Sequence, residues 1–204
     1  MSTLTQTTNY IYSKKLSDLS KIHSPEINLV ILPIEDSEEI LEYLDFIEEQ
    51  DSFSFRSNSK ELLDNLSKLP IVSTNANNVF SQKIIEISNL YYELTKTENF
   101  FVQVDLVTKI TCPKFHVDFT SIRLLYNLRG KCTEFVTNDS PYTLPFSEDQ
   151  LDSSRIFLPT GSNLCLLKGE SYPKNRGKAI IHKSPSLDAF EKRILLRIDT
   201  INIL

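Results

Sequence analysis

The sequence predicts an α+β fold, with a mainly helical first half packed on a largely antiparallel sheet or barrel built by the second half. Two observations carry this. Up to about residue 99 the apolar positions recur mostly at helical spacing, whereas after Phe100 they alternate in short runs separated by turn residues. All four glycines (Gly130, Gly161, Gly169, Gly177) and five of the nine prolines (Pro141, Pro145, Pro159, Pro173, Pro185) lie after residue 129. The second half therefore needs tight turns that the first does not.

Taken in order, residues 1–25 are polar and patternless apart from Tyr10, Ile11 and Tyr12, and read as a loosely held arm. Residues 26–99 read as mainly helical support. Within them Ile27 to Ile34 is a short apolar run that ends near Pro33, which suits a strand. Asp36 or Ser37 then caps a helix through Gln50, with acidic residues in its first turn and Ile40, Leu41, Leu44 and Ile47 on its apolar face. A second helix is expected from Ser57 or Asn58 to just before Pro70, with Leu62, Leu63 and Leu66 inward. The third, from about Asn78 to Thr97, places Phe80, Ile84, Ile87, Tyr91 and Leu94 on one face. Residues 100–204 read as the β-core: FFVQVDLVTKIT, SIRLLYNLRG, CTEFV, NLCLLKG, KAIIH and RILLRIDTINIL. The chain shows no internal repeat, and its 204 residues suit a single domain.

Composition narrows the function classes. A net charge of −5 without a Lys/Arg cluster gives no electrostatic footprint for nucleic acid or for an anionic membrane. No apolar run approaches spanning length, and the start (Met1-Ser2-Thr3-Leu4-Thr5-Gln6) lacks the charged and apolar regions of a signal peptide. Three cysteines (Cys112, Cys132, Cys165) without short spacing argue against a disulfide framework and for a reducing cytoplasm.

The stretch CPKFHVDF holds one of only three histidines, two residues before an aspartate. On an extended segment His116 and Asp118 point to the same side. An H-x-D alone is a weak signal and also describes a hydrogen-bonded surface pair. A facial metal site needs a second imidazole. His23 lies in the polar arm, a poor place for a rigid ligand, whereas His182 ends the run Ala179-Ile180-Ile181, 64 residues beyond Asp118. Arg193 follows eleven residues later at the start of the last strand, with Arg197 on its face.

This order, H-x-D, then strands, then H, then R, resembles the double-stranded β-helix iron(II)- and 2-oxoglutarate-dependent dioxygenases. FHVDFTSIRLL, LRGKCTEF, LLKG, HKSP and RILLRID are similar to an uncharacterised bacterial family with FHxDxxxxRLL, RGPGTEW, a lysine-glycine turn, HRSP and RLLLxLD. Here Cys132 stands for a glycine, Phe135 for a tryptophan and Lys183 for an arginine. The resemblance implies a jelly-roll or cupin-like barrel, iron(II) held by His116, Asp118 and His182, and Arg193 on the far carboxylate of the 2-oxoglutarate cosubstrate. It implies hydroxylation of a small molecule, amino acid or peptide.

Several residues keep two readings. Arg123, inside an apolar run, is either a cosubstrate or anion ligand lining the barrel or a snorkelling edge residue. Arg197 also suits a surface bridge to Asp199 or Glu191. Thr133 and Glu134 are substrate contacts or a strand start. Cys112 and Cys132 could join His116 around zinc, although their spacing fits no closed Cys/His pattern. A non-catalytic, cupin-like protein that binds zinc or another divalent metal in metal homeostasis is the alternative function. A docking module built on the helical half is a third.

Overall fold

In the computed structural model three helices cover one face of a seven-stranded sheet, and a three-stranded sheet covers part of the other. The structure describes residues 9–137, 142–144, 146, 147, 149 and 151–201; Pro141, Pro145, residues 1–8 of the expected arm and the last three residues lie outside them.

The strands are β1 (Tyr10–Tyr12), β2 (Leu29–Pro33), β3 (Ser54–Asn58), β4 (Phe100–Val107), β5 (Ile122–Arg129), β6 (Glu134–Val136), β7 (Ile156–Phe157), β8 (Asn163–Lys168), β9 (Ile181–Lys183) and β10 (Arg193–Thr200). The large sheet runs β1-β2-β8-β5-β10-β4-β3 and the small one β7-β6-β9. Every pair is antiparallel except β1 with β2, so the large sheet is mixed.

The helices are α1 (Glu38–Glu49), α2 (Leu62–Leu66) and α3 (Thr74–Thr95). Ser37 precedes α1, and Glu38 and Glu39 sit in its first turn, where carboxylates complement the helix dipole. The Ser73 hydroxyl caps α3 by accepting from the Ala76 N–H at 3.2 Å, and Lys96 ends the helix in the left-handed region, φ 54°. Ile40, Leu44 and Ile47 of α1 pack with Phe80, Ile84, Ile87 and Tyr91 of α3, and Tyr43 stacks on Phe80 at 4.2 Å.

The pleat sorts the sheet residues between two cores. Val102, Val104, Leu124, Tyr126, Leu128, Ile194, Leu196 and Ile198 enter the helical core. Their neighbours Arg123, Leu125, Asn127, Arg193, Leu195, Arg197 and Asp199 therefore face the small sheet. Leu29, Ile31, Leu125, Cys165 and Leu167 meet Phe135 and Ile180 there. All six residues of β8 are buried, as its place between β2 and β5, with both faces covered, demands.

The structure corrects several expectations. Residues 9–25 are not a loose arm: β1 pairs with β2, and a 3-10 helix, Leu16–His23, buries Leu19 and Ile22. Within the support, the expected strand over Ile27 to Ile34 is β2, and an unexpected strand, β3, joins the same large sheet. The second helix begins later than expected, because Ser57 and Asn58 belong to β3, and Leu63 faces solvent at 68% exposure. Leu41 is exposed as well, and Tyr43 takes the buried position instead. The two sheets face each other, but neither closes into a barrel.

Candidate metal centre

His116 and His182 are brought together by backbone pairing. Each donates its N–H to the other's carbonyl at 3.0 Å, in an antiparallel bridge that adds the His116 segment to the edge of β9. On its other side β9 pairs with β6, placing Phe135 opposite His182. Directly opposite residues on an antiparallel pair project to one side, and the two imidazoles lie 4.5 Å apart between centroids.

Asp118, two residues beyond His116, is delivered by a second contact. The turn leaving β8 grips its loop: the Glu170 N–H donates to the Asp118 carbonyl at 2.8 Å, Ser171 to Thr120 at 3.2 Å and Gly169 to Ser121 at 2.9 Å. The approach is so close that a Cβ on Gly169 would lie 2.2 Å from the Thr120 oxygen and 2.7 Å from the Asp118 oxygen. The buried Glu170 carboxylate secures the turn in its own direction, accepting from the Tyr142 hydroxyl and the Gly177 N–H.

The outcome is a cluster in which one donor atom from each of His116, Asp118 and His182 lies within 4.8 Å of the others. His182 Nε2 is 3.3 Å from Asp118 Oδ2, and His116 Nε2 is 3.8 Å from Oδ1. Both rings turn Nδ1 to a backbone carbonyl, His116 to Lys114 at 3.0 Å and His182 to Ile180 at 3.2 Å. A proton on Nδ1 satisfies those carbonyls and leaves the Nε2 lone pair directed at the cluster. Two imidazole nitrogens and one carboxylate oxygen on one side of a common point fit a divalent transition metal with open positions opposite. His182 and Asp118 are enclosed, while the His116 side chain keeps 34% exposure and marks the open side.

The electrostatics suit that donor set. Burial pushes the His116 imidazole below its ordinary value, and the charge of His182 adds to the effect. For Asp118 burial pulls upward, but the hydrogen bond and charge of His182, with Arg123 and His116 behind them, win and hold the carboxyl down at about 2. Arg123 is not free to meet an incoming anion. Its Nη1 donates to Asp118 Oδ2 at 2.5 Å and its Nε to Asp199 Oδ1 at 2.6 Å.

Arg193 lies between the sheets at 3% exposure. Its Nε donates to Asn127 Oδ1 at 3.0 Å and its Nη2 to Thr133 Oγ1 at 2.7 Å, and it has no carboxylate partner among the described residues. Burial lowers its guanidinium to about 10, still charged at neutral pH, with Cys132 and Cys165 opposing the shift.

The remaining candidates scatter. Arg197 bridges to Asp199 at 3.2 Å and to Gln103 at 2.9 Å. Glu134 pairs with Lys183 at 3.3 Å, and Thr133 serves Arg193. All three cysteines are free, and none belongs to the metal-capable cluster among the described residues; Cys132 donates to the Gly161 carbonyl. His23 is exposed beside Tyr172, with its Nδ1 3.1 Å from the hydroxyl. No sequence motif marks Asn127 or the Asp199 partner of Arg123. A polar residue inside each of the apolar runs SIRLLYNLRG and RILLRID was the available signal.

The DUF1826 model, described as a protein of unknown function, matches residues 13–199. No curated protein matches the chain. Solved structures share the fold at low identity. A putative oxygenase from Shewanella oneidensis has a TM-score of 0.50 at 9% identity, over 94% of this chain and 88% of that one. A Pseudomonas putida prolyl-4-hydroxylase has a TM-score of 0.50 at 9% identity, over 91% and 98%. Full-length Neurospora crassa T7H, in complex with alpha-KG and thymine, has a TM-score of 0.50 at 10% identity, over 94% and 84%. The fold is thus of the double-stranded β-helix type seen in 2-oxoglutarate oxygenases, with a His/His/Asp cluster capable of holding a metal. No helix among the described residues is long and apolar enough to cross a membrane.

Proposed function

We infer that this chain, which belongs to the DUF1826 family, is an iron(II)- and 2-oxoglutarate-dependent oxygenase that hydroxylates a small molecule, an amino acid or a peptide side chain. The observation that carries the reading is Arg193. A buried guanidinium bonded only to neutral Asn127 and Thr133 bears a desolvation cost of several kcal/mol that those partners offset poorly. The far carboxylate of a dicarboxylate cosubstrate completes it with a charge-assisted, two-pronged contact. The alpha-KG complex of the Neurospora protein, within a similar fold, supports that choice of cosubstrate.

In this reading His116 and His182 offer Nε2 and Asp118 a carboxylate oxygen to iron(II). Bound there, iron supplies dioxygen activation coupled to oxidative decarboxylation of 2-oxoglutarate to succinate and carbon dioxide. The chain does the rest. The Lys114 and Ile180 carbonyls fix the imidazoles, and Arg193 holds the cosubstrate in one orientation. Leu125, Phe135, Cys165 and Ile180 keep water from the space between the sheets, and the open flank of His116 leaves room for substrate.

The test uses protein purified without added metal, analysed for bound metal and then titrated anaerobically with iron(II) and 2-oxoglutarate. Binding of 2-oxoglutarate that depends on iron is the expected result, with metal lost in a folded His116→Ala. Arg193→Met should keep the metal and bind 2-oxoglutarate about 10–100-fold more weakly, the worth of hydrogen bonds to a charged group. Stoichiometric zinc with no affinity for 2-oxoglutarate would overturn the reading in favour of a non-catalytic metal-binding protein.

A further inference from the structure

We propose that Arg123, braced by Asp199, is the positioning residue for the Asp118 carboxylate, an inference that rests on the metal-site reading above. Arg123 and Asp199 are register partners across β5 and β10, so the pairing of the two strands places them face to face. From there the guanidinium spans two carboxylates, 2.6 Å from Asp199 through Nε and 2.5 Å from Asp118 through Nη1. All three side chains are at least about four-fifths buried, with exposures of 19%, 21% and 14% for Arg123, Asp199 and Asp118. Solvent screening of these contacts is therefore weak.

The arrangement does two things. Arg123 occupies Oδ2 of Asp118, so the carboxylate is turned by a planar fork and offers Oδ1 to the metal. Asp199 then balances the charge of Arg123, while its other oxygen takes Arg197 at 3.2 Å. Charges alternate along Asp118, Arg123, Asp199 and Arg197, so orientation is gained without an excess positive charge beside a divalent cation. A lysine cannot replace the fork, because one ammonium lacks the two fixed N–H directions that reach both carboxylates.

Cobalt(II), whose visible spectrum reports its ligand field, is the probe, used on the full chain with Arg123→Gln, Arg123→Lys, Asp199→Asn and the Arg123→Gln/Asp199→Asn double variant. Cooperative melting of the metal-free proteins shows that each is folded. Arg123→Gln and Asp199→Asn should each bind cobalt about 10–100-fold more weakly, the usual cost of losing an outer-shell partner, and with shifted bands. Arg123→Lys should recover only part of that loss, and the double variant should bind no more weakly than Arg123→Gln, since Asp199 acts through Arg123. Should Arg123→Gln fail to fold, Asp199→Asn carries the same expectation alone. Wild-type affinity and spectrum in a folded Arg123→Gln or Asp199→Asn would overturn the proposal and leave Arg123 a structural ion pair. Wild-type protein that binds no cobalt defeats the metal-site reading itself, and is seen before any substitution is made.

Discussion

Burial holds the His116 imidazole below its ordinary 6.5, which favours at neutral pH the uncharged form able to donate to a metal. The linkage has a definite sign. Well above pH 6.5 folded and unfolded chains both hold His116 neutral and it contributes no pH dependence. As the pH falls below 6.5 the unfolded chain takes up a proton that the folded one resists, and stability drops. Urea unfolding of metal-free protein at pH 7.5 and 5.5 should show a loss at the lower pH that is smaller in His116→Ala. The H-x-D and His182 stand out in the sequence because it holds only three histidines and His23 lies in the polar N-terminal segment. Arg123 was ambiguous: an arginine amid apolar residues is equally a ligand or an edge residue until its partners are seen. Those partners, Asp118 and Asp199, lie on either side of it in sequence, the latter 76 positions away.

The cluster depends on elements that contribute no donor atom to it. The β8 exit turn holds the Asp118 loop through three backbone hydrogen bonds, and Gly169 permits their closeness. Gly169→Ala should push that loop away, costing about 1–3 kcal/mol of stability as overpacking does. Urea denaturation measures that cost, and the same protein should show a cobalt affinity below wild type. Strand β10 serves both parts of the proposed site, with Arg193 at its start facing Asn127 and Thr133, and Asp199 near its end bonded to Arg123. The lysine-glycine turn was visible in the sequence, but not what it touches. The second helix starts later than its apolar spacing suggests, for a local reason. In β3 only Phe55 and Ser57 point inward, and a buried serine hides a strand's alternation.

Across the molecule, segments distant in sequence flank the half that carries the metal-capable cluster. Strands β1 and β2 add to the edge at β8, and β3 adds to the edge at β4. A fragment of residues 100–204 would leave both edges unpaired and the helical core uncovered, so it should stay unfolded or aggregate. Far-UV circular dichroism and limited proteolysis of the fragment beside the full chain check this. The sequence by itself determined the helical face of α3, the alternation of β4 and β10, the order of His116, Asp118, His182 and Arg193, and a net charge of −5. These are local periodicities and residue identities, which short-range sterics and solvation impose on neighbouring residues. Tertiary structure alone decided the role of residues 9–25, the open rather than closed sheets, the grip of Gly169 on the Asp118 loop and the span of Arg123 between two carboxylates. Each of these is a contact between segments whose register is set by burying whole faces together, and no pattern within either segment specifies its partner.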